Sequence, residues 1–468
     1  MLIRSFSGGG CGVRNETDFT RGRILVPLLR FMAPVFLALF LQCMYGAVDL
    51  LIVGRFATAV DVSAVSTGSQ IMMTLTNLIS SFAMGTTILL GQRIGEGRAK
   101  EGGEVIGSGI CLFAAIGLAF ALLTPALCRQ LAALMNAPRE AFDETASYIR
   151  ICGAGFLFII GYNLIGSIFR GIGDSRTPLR TVIIACVCNI LGDLLLVAVL
   201  HMGAAGAALA TVFAQAVSVA LSLLIIRRRP MPFTLERAHI RFHRRNIAQM
   251  TRLGAPIALQ DLLVGISFLV ILAIVNGLGL IASAGVGVAQ KVCGFIMLVP
   301  LAFMQAMSAF VAQNAGAGEY ARANRALYCA VSVSFAPAVA MFFLSFWHGD
   351  LLAGIFANDA SVVAAAAEYL KAYGIDCLLT CFLFCFIGYF NGLGRTRFVM
   401  VQGIVGAFLV RVPVSFAMSR RVPASMFRIG LATPASTVVQ VALCGICFLR
   451  IRRKDPRLNG ERARAGAE

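Results

Sequence analysis

Twelve runs of about 20 mostly apolar residues, each long enough to cross a hydrocarbon layer ~30 Å thick as a helix, dominate the chain. They fall near 26–54, 62–90, 105–128, 147–170, 179–200 and 204–226, then near 253–279, 283–313, 327–347, 366–391, 398–418 and 429–450. The composition agrees: 59% of residues are hydrophobic, 13% are charged and the mean hydropathy is +0.84. A soluble domain averages about 25% charged residues. A single anchored soluble domain is excluded by the evenness of the pattern, and the expected class is an all-α integral membrane protein. The net charge of +18 raises nucleic-acid binding as a reading. The basic residues sit in short clusters between apolar runs, so they read as topology signals and no nucleic-acid partner is expected. Residues 1–25 are polar, Gly-rich and basic and lack the short apolar core of a secretory signal, so the first span is predicted to be retained. The 14 cysteines lie almost entirely in apolar segments with no His or carboxylate at metal spacing, and read as helix-packing residues.

Charge placement sets the expected orientation. The N-terminus, the loops after spans 2, 4, 6, 8 and 10, and the tail "RIRRKDPR" hold about 29 of the 40 Lys and Arg. The exception is "SRRVPASMFR" after span 11. The positive-inside rule then places both termini in the cytoplasm of a bacterial inner (cell) membrane, with the chain multi-pass. The halves also repeat. "GQRIGEGRAKE" from Gly91 matches "AQNAGAGEYAR" from Ala312, and the same shift along the chain carries "FRGIGDSR" from Phe169 onto "FNGLGRTR" from Phe390. "APVFLAL" at Ala33 faces "APIALQD" at Ala255, one position further along. Six spans per half insert both halves the same way up, so the predicted fold is twelve transmembrane helices in two six-helix lobes related by a parallel pseudo-two-fold repeat. The expected domains are a cytoplasmic tail 1–25, an N-lobe 26–226, a basic cytoplasmic linker 227–252 that touches anionic lipid headgroups, a C-lobe 253–450 and a basic tail 451–468. The Gly pairs after spans 2, 4, 8 and 10 are read as left-handed helix ends. Pro34 and Pro256, at equivalent points of spans 1 and 7, are expected to kink those helices.

The candidate site lies in the first half. In "NILGDLLLVAVL", Asn189 and Asp193 stand four positions apart on one helix face. An acid at mid-bilayer costs about 2.5–3.5 kcal/mol on insertion scales, so its presence needs a reason. At 1.5 Å per residue Asp193 lies roughly 21 Å into its span, Thr211 about 12 Å into span 6 from the other side, and Asp49 about 28 Å beyond Arg30. All three fall in the outer part of the bilayer. Tyr45 precedes Asp49 by one turn, and span 4 adds Asn163. Two carboxylates so placed titrate as a coupled pair. They can hold a proton, or ligate sodium through Asp49, Asn189, Asp193 and Thr211. Interhelical hydrogen bonding is the plainer alternative for the lone amides and hydroxyls.

These motifs carry a resemblance. "VDLLIVGR" in span 1, "GQRIGEG" after span 2, "FRGIGDSRTPL" after span 4, "NILGD" in span 5 and "GAAGAALATVFAQ" in span 6 resemble the multidrug and toxic compound extrusion (MATE) family, over nearly the full chain. The resemblance implies two six-helix lobes, alternating access and export of mostly cationic amphipathic compounds against a proton or sodium gradient, with no cofactor. It implies an N-lobe site whose residues fall here on Asp49, Asn189, Asp193, Thr211, Tyr45 and Asn163. One branch of the family places carboxylates in spans 7 and 10. The repeat alignment puts apolar Val264 and Cys381 there, with Asp261 and Asp376 off register. The chain therefore looks more like the N-lobe-coupled, DinF-like branch. Gln260, Asp261 and Lys291 remain secondary candidates for the second half, while Arg411, beside Pro413, reads as structural.

The expected function is an ion-coupled antiporter for organic cations, acting as a monomer among membrane lipids. The alternative of a lipid-linked precursor flippase needs several Arg or Lys within the spans to hold a pyrophosphate, and only Lys291 and Arg411 are there. An intramembrane enzyme is not expected, since no H-E-x-x-H, G-x-S-x-G or paired Ser/Lys or Ser/His constellation occurs in the spans.

Overall fold

A computed structural model describes residues 19–228, 231–233, 235–421 and 425–454. The expected tails before residue 19 and beyond 454, and parts of the 227–252 linker and of the loop after span 11, lie outside the described residues.

Among the described residues, eleven helices are each long and apolar enough to cross a membrane. A twelfth span is built from two helices, Arg139–Ala154 and Phe156–Gly171, which meet at 52°. The break falls at Gly155. Gly155 lies so close to the Val212 side chain of span 6 that a Cβ there would collide with it. The fold is that of an all-helical, multi-pass membrane protein with the twelve spans expected from the apolar runs. Span 1 is Leu25–Phe56, span 2 Ala59–Gly95, span 3 Ala99–Ala126, span 5 Arg176–Val199 and span 6 Gly203–Arg228. In the second half, span 7 is Arg244–Asn276, span 8 Leu280–Gly316, span 9 Tyr320–Trp347, span 10 Ala360–Gly392, span 11 Thr396–Ser419 and span 12 Met426–Arg453. Large apolar side chains stay exposed along them, among them Leu122, Phe213, Leu269 and Leu409 at 59–70%. Hydrocarbon tails satisfy such a surface; water does not.

The helices form two compact units, one of residues 37–255 and one of residues 19–36 with 256 onward. The divisions fall inside spans 1 and 7, beside the Ala-Pro pairs at 33–34 and 255–256. Both helices run through their prolines without interruption. A Pro removes one intrahelical hydrogen bond and is where a membrane helix bends most readily.

In unit 1 the core gathers Val53, Met72, Ile106, Phe113, Phe156, Ile160 and Ala207. Small residues bring its backbones together, the usual device where lipid removes the hydrophobic drive between helices. A Cβ on Gly85 of span 2 would lie 2.6 Å from the Met250 carbonyl oxygen and 2.7 Å from the Gly254 nitrogen, so the first half of span 7 packs directly on span 2. At the other end of span 2 a capping box forms. Thr58 and Asp61 exchange hydrogen bonds, and Asp61 also accepts the Ala204 N–H at 2.9 Å.

In unit 2 the core gathers Ile271, Val286, Val292, Tyr369, Leu370, Tyr373 and Cys377. The segment leading into span 1 is clasped there. Phe19 is fully buried, with ring centroids 5.4 Å from Phe31 and 5.1 Å from Phe310. The Arg322 guanidinium donates to the carbonyls of Phe19, Gly22 and Arg21 at 2.7, 2.7 and 2.9 Å and to that of Arg23 at 3.2 Å. Asn314 adds a bond to the Phe19 carbonyl at 3.1 Å.

The internal repeat is visible in individual contacts. Thr87 donates to the Ser167 carbonyl at 2.9 Å in unit 1. Ser308 and Gly388 are their counterparts in the register that pairs Gly91 with Ala312, and Ser308 donates to the Gly388 carbonyl at 3.3 Å in unit 2. Gly97, Gly173, Gly318 and Gly394 all have φ between 73° and 87°, the left-handed helix ends expected from the sequence. Their partners in "FRGIGD" and "FNGLGR" do another job. A Cβ would lie 3.1 Å from the Thr87 carbonyl at Gly171 and 2.8 Å from the Ser308 carbonyl at Gly392, so these two glycines permit close packing.

Candidate functional site

Asp49, Asn189, Asp193 and Thr211 converge inside unit 1. Gly192 packs against Ala210, with a Cβ on the glycine 3.0 Å from the alanine Cβ. That contact draws spans 5 and 6 together and sets their neighbours Asp193 and Thr211 facing the same interior point. Asn189 joins them from one turn before Asp193, and Asp49 enters from span 1. Asp49 is 5% exposed, Asn189 1% and Asp193 0%. The Asp49 carboxyl interacts with that of Asp193, with the Thr211 hydroxyl and with the Asn189 amide. Even so, Asp49 Oδ1, both Asp193 carboxyl oxygens, both Asn189 amide heteroatoms and Thr211 Oγ1 are buried without an ordinary hydrogen bond.

Buried polar atoms are nearly always paired, and leaving one unpaired costs about 1–3 kcal/mol. Six in one cluster is therefore costly unless the cluster binds something. The donor set is carboxylate, amide and hydroxyl oxygen. Such a set suits a proton or a hard monovalent cation such as sodium. Directly after Asp193 the helix widens from α to π over Leu194–Val199. Such π insertions are frequent at functional positions.

A cavity of ≈ 20 Å³ opens beside the cluster, lined by Gln42, Tyr45, Tyr162, Cys186, Asn189, Thr211 and Gln215 among others. That volume holds about one water-sized species. It fits an ion or a water and is far too small for a drug-sized molecule.

Of the residues anticipated from the sequence, Asp49, Asp193, Asn189 and Thr211 come together and Tyr45 lines the cavity beside them. Asn163 does not join. Its amide turns back to the Ile159 carbonyl of its own helix at 2.8 Å. Its neighbour Tyr162 faces the cavity instead, accepting a hydrogen bond from Gln42 Nε2 at 2.6 Å. Gln42, Tyr162 and Gln215 were not anticipated, although a signal existed. Gln42, Tyr45 and Asp49 recur at helical spacing, as do Thr211 and Gln215. The secondary candidates belong to unit 2. Gln260 is buried against Gly403, where a Cβ would meet its Cγ at 2.8 Å, while Asp261 and Lys291 are exposed.

A family model described as MatE matches residues 34–195 and again residues 256–417. The chain belongs to the MATE family. The two matched stretches begin at Pro34 and Pro256, so the family pattern itself repeats here, in the register of the Ala-Pro pairs. Among curated MATE relatives, the probable multidrug resistance protein YpnP of Bacillus subtilis is 28% identical over 392 residues, covering 83% of this chain and 86% of that protein. The multidrug export protein MepA of Staphylococcus saprophyticus is 23% identical over 403 residues, covering 86% of this chain and 88% of that one. Among solved structures, an outward-facing multidrug resistance MATE transporter superposes with a TM-score of 0.86 at 18% identity, over 94% of this chain and 98% of that one. A transporter of the same superfamily from Pyrococcus furiosus, described as having a binding pocket of reverse polarity, gives 0.87 at 18% identity, over 95% and 100%. These likenesses establish the MATE fold across almost the whole chain.

Proposed function

We propose that the chain is an antiporter of the N-lobe-coupled, DinF-like kind. In this reading it exports organic, mostly cationic amphipathic compounds in exchange for protons or sodium. The observation that carries the reading is the pair of buried carboxyls, Asp49 and Asp193, which meet beside Asn189 and Thr211 with Asp49 Oδ1 and both Asp193 oxygens lacking an ordinary hydrogen bond. Two ionised carboxylates held side by side away from water repel each other and lose their solvation. The pair therefore holds best with a monovalent cation between its oxygens. Anything that opens the cluster to water, or brings an organic cation near it, favours release of that ion. This is the exchange an antiporter needs. The names of the curated relatives, a multidrug resistance protein and a multidrug export protein, support the substrate class.

In this reading the protein sits in the cell membrane with both termini cytoplasmic, which the placement of most basic residues supports. Bending of span 1 near Pro34 links the occupancy of Asp49 to the position of the rest of the helix. The test is transport by the purified protein in liposomes. Efflux of ethidium is followed under an imposed pH gradient, with and without a sodium gradient, for the wild type, Asp49→Asn and Asp193→Asn. Wild-type efflux driven by one of the gradients, lost in Asp49→Asn, supports the reading. Equal gradient-driven efflux by the wild type and both variants sinks it.

A further inference from the structure

Spans 5 and 6 touch at Gly192 and again at Ser218, and part at their basic end. A Cβ on Gly192 would lie 3.0 Å from the Ala210 Cβ, and further along the Ser218 hydroxyl donates to the Thr181 carbonyl at 3.5 Å. Beyond that bond a cavity of ≈ 320 Å³ opens, lined by Thr177 and Arg180 of span 5 and by Leu221, Leu224, Ile225 and Arg228 of span 6. The spacing explains the lining. Thr177 and Arg180 stand three positions apart, and the four span 6 residues recur at i, i+3, i+4 and i+7, so each set shares one helix face. Span 6 therefore offers an apolar stripe that ends in a guanidinium, and span 5 brings a second guanidinium to the same cavity.

The charges at this end are unbalanced. Arg176, Arg180, Arg227 and Arg228 stand at the two helix ends against one acid, Asp174. That carboxylate is turned to its own chain, accepting the Arg176 and Thr177 N–H groups at 2.9 and 3.0 Å and the Thr177 hydroxyl at 2.6 Å. Among the described residues no ion pair or hydrogen bond engages the guanidinium of Arg180 or of Arg228, and both residues are exposed. The depth suits a lipid headgroup. Span 5 has 24 residues, or ~36 Å at 1.5 Å per residue, against a hydrocarbon layer ~30 Å thick. The excess puts the arginine-bearing ends at the polar boundary, where a charge costs little. Leu221 lies ~10 Å further in than Arg228, on the hydrocarbon side.

We infer that this cavity binds one phospholipid of net negative headgroup: Arg180 and Arg228 hold its phosphate, and an acyl chain lies along Leu221, Leu224 and Ile225. A guanidinium presents a planar fork of donors that matches phosphate oxygens. Two of them without an acid of their own favour a headgroup that carries no ammonium. Basic pockets between spanning helices on the cytoplasmic side are where anionic headgroups lodge, and in the orientation proposed above this is the cytoplasmic end. The apolar stripe separates a lipid from free phosphate, which has nothing to place against Leu224, 45% exposed. The site shares no lining residue with the cavity beside Asn189 and Thr211, and it does not depend on the transport reading. Bound there, the lipid ties together the basic ends of the two helices that carry Asp193 and Thr211.

The test is native mass spectrometry of the purified, delipidated protein in detergent, titrated with dioleoyl phosphatidylglycerol or dioleoyl phosphatidylcholine. The wild type is expected to retain one phosphatidylglycerol, and to hold phosphatidylcholine at least about tenfold more weakly. Arg180→Gln and Arg228→Gln should each weaken phosphatidylglycerol about tenfold, the loss of one hydrogen-bonded charge. Arg227→Gln removes the same charge from the same helix end but outside the cavity, and should change binding by less than about threefold. Leu224→Gln should weaken phosphatidylglycerol as well, and inorganic phosphate in excess should displace no more of it than sodium chloride of equal ionic strength. All four substituted residues are exposed, so the variants keep the fold. Phosphatidylglycerol held equally by the wild type and both cavity-arginine variants, an equal loss in Arg227→Gln, displacement by inorganic phosphate, or equal binding of phosphatidylcholine overturns the proposal.

Discussion

Replacing Arg322 by Ala should release the segment before span 1 without unfolding unit 2. One of the four hydrogen bonds from Arg322 reaches the part-buried Phe19 carbonyl, and the other three, to Arg21, Gly22 and Arg23, are exposed. A hydrogen bond from a charged donor nets about 1.5–3 kcal/mol when sheltered. Exposed charged contacts are worth only a few tenths. Taking ~1.5 kcal/mol for the first bond and ~0.3 for each exposed one, less part of the entropy of holding a long side chain, leaves about 2 kcal/mol. At about 1.36 kcal/mol per factor of ten, the open form becomes about 30-fold more populated. Arg21 and Arg23 lie within the clasped segment, and cleavage follows the open population when opening is fast. Trypsin should therefore cut Arg322→Ala after these residues about 30 times faster than the wild type, read by mass spectrometry of the N-terminal fragment. Arg322→Lys, with one point charge in place of a fork of donors, should fall between. The melting temperature should barely change, because Phe19 remains packed against Phe31 and Phe310. Cleavage rates within threefold of each other would refute the clasp.

Two further outcomes follow from the packing and the helix caps. Gly85→Ala forces a methyl group against the Met250 carbonyl and the Gly254 nitrogen, and should destabilise unit 1 by about 1–3 kcal/mol, seen as a lower melting temperature in detergent; an unchanged melt would mean that spans 2 and 7 do not pack this closely. Asp359 caps the long helix Ala360–Gly392, and the Ser361 hydroxyl, followed by the backbone N–H groups of Ser361 and Val362, holds its carboxyl below the usual aspartate range. With the folded value lowered, this contribution is present above the unfolded pKa and is lost as pH falls through the folded value. Amide exchange at Ser361 and Val362 should therefore gain an acid-dependent acceleration that Asp359→Asn lacks.

Much of this architecture was legible in the sequence because the bilayer leaves few alternatives. An apolar run long enough to cross it becomes a helix, and the twelve runs became twelve spans. The repeat was legible because identical turns need identical residues, as the paired glycines at 173 and 394 show. The bend of span 4 was not legible, since it falls at Gly155, whose close neighbour Val212 comes from a distant part of the chain. Asn189 and Asp193 stood out because polar groups in apolar helices are costly. The same reasoning pointed to Asn163, which satisfies itself on its own helix, and passed over Tyr162, whose ring is apolar enough to go unnoticed.

The central claim is that unit 1 exchanges an ion for an organic cation at Asp49. The most direct measurement adds ethidium to the purified protein in weakly buffered detergent and records the ion released, by a pH indicator in sodium-free solution and by 22Na+ otherwise. The account predicts release of a proton or a sodium ion from the wild type on ethidium binding. It predicts none from Asp49→Asn, even at concentrations where that variant is saturated with ethidium. Equal release from both proteins would contradict it.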